Sequence, residues 1–122
     1  MLKKHFTGYQ YAFRGIWLAF RYENNMVFHL AAAGAVLLIN YFLHVTQTEW
    51  LITLILIGLA WTAEIFNTAI ERLADHVSPG HNPLIGQVKD LAAGAVLVIC
   101  SIAAICGTII YFPYVWALFC HS

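Results

Sequence analysis

Between Met26 and Val45 (MVFHLAAAGAVLLINYFLHV) the chain runs without a single Asp, Glu, Lys or Arg. A helix of about 20 residues rises about 30 Å, the thickness of a bilayer's hydrocarbon core. Two more apolar runs follow. One starts at Trp50, is almost wholly apolar to Ala63 and continues through Glu64 to about Asp75; the other covers Leu91–Ile110 before Pro113, which is expected to end or kink it. Backbone groups in lipid must be satisfied within their own segment, so runs of this length read as helices. The expected fold is an all-α membrane protein with spans near 26–45, 50–75 and 90–112, forming one membrane-embedded domain over residues 1–122. Composition agrees: 61% of residues are hydrophobic and 10% charged, against roughly 45–50% and about 25% in soluble proteins.

Ahead of the first span, Phe6, Tyr9, Phe13, Ile16, Trp17 and Phe20 recur at helical spacing, with Lys3, Lys4, Gln10, Arg14 and Arg21 between them. This predicts an amphipathic surface helix over about 5–22. No short apolar segment with a small-residue cleavage site precedes the spans, so no removable leader is expected. Cys100 and Cys106 fall inside an apolar run and Cys120 near the end, without metal-ligand spacing, and read as small apolar residues. The small residues Ala31–Ala35 and Ala92–Gly94 would let another helix approach closely. Tyr111, Tyr114 and Trp116 mark an interfacial belt. A net charge of zero gives no electrostatic case for nucleic acid.

The six Lys and Arg residues all fall on one side of a three-span topology: Lys3, Lys4, Arg14 and Arg21 before the first span, Arg72 and Lys89 around the connection between the second and third. The positive-inside rule makes that side cytoplasmic. Glu64, Asn67, Glu71 and Asp75 crowd toward it at spacings of three, four and four, which places them in one stripe of a helix. A carboxylate at Glu64, directly after an apolar run, defaults to a functional reading. His29 and Asn40, by contrast, read first as packed, hydrogen-bonded residues.

Phosphoryl transfer from ATP to an alcohol needs a divalent metal, a base at the hydroxyl and donors for the phosphates. Magnesium is held by one or two carboxylates together with phosphates, which Glu23 and Glu71 could supply. Glu64, about two turns deeper than Glu71, is placed to meet an alcohol from the bilayer. Lys89 could hold phosphate with Asp90 orienting it, and Asn67 could hydrogen-bond within the stripe. Spacing leaves two other readings open: an ion or proton path, and polar glue between helices in a non-catalytic transport or packing module. No P-loop or kinase glycine-rich loop is present.

Three segments, AFRGIWLAFRYENN (Ala12–Asn25), AEIFNTAIERLADHVSP (Ala63–Pro79) and KDLAAGAVLV (Lys89–Val98), resemble the prokaryotic integral-membrane diacylglycerol kinases, a family that includes undecaprenol kinases. The resemblance covers nearly the whole chain. It implies an ATP- and magnesium-dependent lipid kinase of the bacterial inner membrane, a homotrimer of three-span protomers with the N-terminus and active site at the cytoplasmic face. It implies Glu64 as catalytic base and contact of the lipid substrate, Glu23 and Glu71 as metal carboxylates, and Asn67 as supporting amide. For ATP it implies Lys4, Tyr11, Glu23, Glu71, His81, Asn82, Lys89 and Asp90. Gly80, His81 and Asn82 stand where many members have Glu-Tyr-His. The expected acceptor is diacylglycerol, giving phosphatidic acid; undecaprenol is the alternative, toward which the AAGAV form at Ala92–Val96 leans.

Overall fold

The computed structural model describes residues 2–120, with side chains from residue 7 onward. Four helices follow one another: α1 (Leu2–Tyr22), α2 (Asn24–Leu43), α3 (Gln47–Val77) and α4 (Pro83–Cys120). The last three are each long and apolar enough to cross a membrane. At 1.5 Å per residue, α3 rises about 46 Å, so it outruns a core of about 30 Å. It packs most extensively on α4, and also on α2 and α1.

Short joints hold these helices in place. His44 closes α2 in the left-handed conformation, at φ 54° and ψ 49°. Thr46 opens α3 with a capping box: its hydroxyl accepts from the Glu49 amide at 3.1 Å, and Glu49 Oε1 accepts from the Thr46 amide at 3.0 Å. The helix therefore begins before Trp50, where the apolar run suggested. Pro113 does not end α4, which continues to Cys120. Proline removes one helical hydrogen bond, and the remaining bonds carry the helix past it.

A polar knot joins the three spans at the end where α2 turns into α3. Asn40, fully buried, donates to Thr53 Oγ1 at 2.8 Å and accepts from the Tyr111 hydroxyl. Thr53 returns its proton to the carbonyls of Trp50 and Glu49, at 2.9 and 3.0 Å. Tyr114 donates to the Glu49 carboxylate. Asn40 thus follows its sequence reading as a packed, hydrogen-bonded residue. The small-residue faces are only partly used within the chain: Ala33 and Ala92 are buried, while a Cβ added at Gly34 or Gly94 would meet nothing within 4 Å.

Candidate active site

The stripe on α3 faces inward at its upper part. Glu64 is 1% exposed, and Asn67 and Thr68 are also buried. Thr68 Oγ1 spends its proton on the Glu64 carbonyl at 2.9 Å, so the Glu64 carboxylate gains nothing from it. Asn67 Nδ2 donates to Glu71 Oε1 at 3.4 Å, as the four-residue spacing predicts. Among the described residues, Glu64 Oε1 and Asn67 Oδ1 are buried acceptors without a partner. Leaving such atoms unpaired costs about 1–3 kcal/mol each. Their free lone pairs suit a ligand that brings donors or a cation.

His29 is buried, as its sequence reading as a packed residue expects, and it lies opposite Glu64. Its Nε2 lies 3.7 Å from Glu64 Oε2, with both side chains buried. The signal was an ionisable residue early in an apolar span, but its partner lies 35 positions further on, beyond the reach of periodicity within one helix.

Glu23 forms the joint between α1 and α2. It occupies the N-cap position of α2 with extended backbone, and its side chain does not cap that helix. Burial, then the charges of Glu71 and Glu64, hold its carboxyl above the ordinary value, against the opposing pull of Arg72. Two neighbouring acids thus act on Glu23, and Arg72 offsets them only in part. The Arg72 guanidinium lies over the Tyr22 ring at 5.2 Å, and Phe20 meets Trp61 edge-on at 5.3 Å. Together these contacts fix the end of α1 against α3.

Lys89 pairs with Asp75, not with Asp90 as expected. Consecutive helical residues point about 100° apart, so Asp90 does not face Lys89, whereas Asp75 comes from the packed neighbour α3. The charge of Glu71 also reaches Lys89. Asp90, Tyr11 and His81 are exposed. Asn82 caps α4, with Oδ1 accepting from the amides of Leu84 and Ile85 at 3.0 and 3.5 Å. The Lys4 side chain lies outside the described residues. The structure therefore gathers Glu23, Glu64, Asn67 and Glu71 and brings Lys89 to their edge, while Tyr11, His81 and Asp90 are exposed and Asn82 caps α4.

Carboxylate and amide oxygens are hard donors, and they suit magnesium completed by phosphate oxygens. Among the described residues no three His, Cys, Asp or Glu side chains form a metal cage of their own. A cavity of about 310 Å³ runs between α2, α3 and α4, from His29 and Trp61 to Thr53 and Tyr111. Its walls are almost entirely apolar.

One buried acid and two half-buried ones at one end of three apolar spans, near an apolar cavity, suit an enzyme acting on a membrane lipid. The sequence matches the family model for prokaryotic diacylglycerol kinase over residues 10–111. The chain belongs to that family of lipid kinases. It is 42% identical over 112 residues to an undecaprenol kinase of Bacillus subtilis (strain 168), covering 92% of this chain and 91% of that protein. It is 30% identical to a diacylglycerol kinase of Synechocystis sp., covering 88% of this chain and 62% of that protein. A diacylglycerol kinase of Haemophilus influenzae is 24% identical, covering 84% of this chain and 88% of that protein. Of the three readings that spacing left open, membership selects the enzyme, a kinase of the diacylglycerol kinase type.

Proposed function

We propose that this protein moves the γ-phosphoryl group of ATP to the hydroxyl of a membrane lipid alcohol. The observation that carries the reading is the buried Glu64 carboxylate, one of whose oxygens has no partner among the described residues. Glu64 Oε1 accepts the hydroxyl proton as the alcohol oxygen attacks phosphorus. The new O–P bond forms while the bond to the β-phosphate oxygen breaks, and ADP leaves. Asn67 holds the Glu71 side chain in place. Glu23 and Glu71 would hold magnesium with the ATP phosphates, neutralising charge on their oxygens. Lys89 would exchange Asp75 for phosphate when ATP arrives, and Lys4, Tyr11, His81, Asn82 and Asp90 would form the outer nucleotide contacts.

Similarity to an undecaprenol kinase along nearly the full length of both chains favours a polyprenol acceptor. Diacylglycerol is the second reading, supported by the family model and by two diacylglycerol kinases among the relatives. We place the site at the cytoplasmic face of the inner membrane, because Arg14, Arg21, Arg72 and Lys89 lie at the same end of the spans. On this reading α1 lies along that surface. The open faces at Gly34 and Gly94 suit packing against other copies in a homotrimer.

The test is ATP- and magnesium-dependent phosphorylation by purified protein in mixed micelles, with diacylglycerol and undecaprenol offered in parallel and Glu64→Gln as control. Product from one lipid, lost in the variant, supports the reading and names the acceptor. No product from either lipid with well-folded protein would overturn it.

A further inference from the structure

We infer that His29 is a positioning residue that pins one oxygen of Glu64 and thereby aims the other at the alcohol. This rests on the lipid-kinase reading above. The geometry is asymmetric: His29 Nε2 lies within ion-pair range of Oε2, while Oε1 is buried and without a partner among the described residues. A carboxylate on a flexible Glu side chain has little else to fix its rotation. The Thr68 hydroxyl is turned to the backbone carbonyl, and Asn67 donates to Glu71 instead.

The His29 backbone is itself held. Trp61 Nε1–H donates to the His29 carbonyl at 3.3 Å, joining α2 to α3 one turn from Glu64. The His29 ring meets Phe28 edge-on at 5.9 Å and lines the apolar cavity. His29 thus stands between the apolar cavity and the acid, with Nε2 facing Glu64 Oε2 at 3.7 Å, within ion-pair range and longer than a hydrogen bond. A histidine placed in an otherwise apolar span for packing alone would need no carboxylate opposite it.

A misplaced reacting group loses rate more than affinity for a distant substrate. His29→Leu should lower kcat about 100-fold while KM for ATP stays within about twofold, and His29→Gln, whose amide nitrogen can replace Nε2, should recover about tenfold of that loss. A second measurement needs no turnover. In protein labelled with 15N-histidine, the His29 side-chain nitrogens, assigned through His29→Gln, should shift when Glu64 is changed to Gln.

Three outcomes overturn the inference: His29→Leu that keeps kcat within about threefold of wild type, Gln no better than Leu, or His29 nitrogens unmoved by Glu64→Gln. A wild-type protein that phosphorylates neither lipid removes the kinase reading and the positioning role with it. In that case the nitrogen shift still decides whether the two side chains are paired.

Discussion

The three spans carry two buried polar clusters built to opposite ends. At the knot, Asn40 donates to Thr53 and accepts from Tyr111, and Thr53 completes its own bonding on the backbone. At the acid cluster, Glu64 and Asn67 each keep a buried oxygen without a partner among the described residues, and Glu23 is held protonated more readily by its neighbours. A satisfied buried network fixes one arrangement of helices; an unsatisfied one stores affinity for whatever completes it. The knot spends its polarity on the fold, and the acid cluster reserves its own for a ligand.

That contrast breaks most sharply at Glu64. Glu64→Gln should lower kcat by about 10²–10⁴-fold, the range for loss of a general base, with thermal stability held or raised. Near-normal turnover would take Glu64 out of the base role. Glu71→Ala should weaken the dependence on magnesium-ATP by about 10–100-fold, the worth of a contact with charge. An unchanged magnesium titration would leave Glu71 no part in metal binding. Asn40→Leu should do the reverse of Glu64→Gln, costing about 1 kcal/mol of stability by leaving the Tyr111 hydroxyl without its acceptor, yet leaving the chemistry of folded protein intact. Unfolding in graded denaturing detergent, read beside kcat per folded molecule, checks both halves.

The smallest effect concerns pH. The Glu23 carboxyl sits above its ordinary value of 4.5 in the folded protein. A carboxyl raised on folding supports the fold while protonated, and that support is lost as pH rises from about 4.5 through the folded value. Without magnesium, the thermal midpoint should therefore decline across that window, and Glu23→Gln should flatten the decline. A midpoint that climbs there in the wild type, and climbs less in the variant, would show the acids to be compensated.

Much of this architecture is legible in the residues. Three runs of apolar residues give three helices, and the spacing of Glu64, Asn67 and Glu71 gives their common face and the Asn67–Glu71 bond. Thr46-Gln47-Thr48-Glu49 has the form of a capping box, a cue that extends α3 ahead of the apolar run. What periodicity does not carry is which faces meet. His29 opposite Glu64, and Lys89 on Asp75 instead of its neighbour Asp90, depend on how separate helices rotate against each other. At Pro113 the sequence leaves open whether the helix ends or goes on, because proline removes a single backbone hydrogen bond, and α4 goes on.

Glu64 and Glu71 are fixed on one rigid helix, seven residues and about 10 Å of rise apart. That separation acts as a gauge of depth. If Glu71 sits at the headgroup plane where nucleotide arrives, Glu64 sits a set distance below it. A bilayer of mismatched thickness would tilt α3 and carry the base away from the plane its lipid hydroxyl occupies. Turnover in vesicles of graded acyl length should therefore peak at one thickness, and a flat profile would mean that the acceptor finds its own depth. With such a peak, the kinase would sense the elastic state of the membrane as well as its composition.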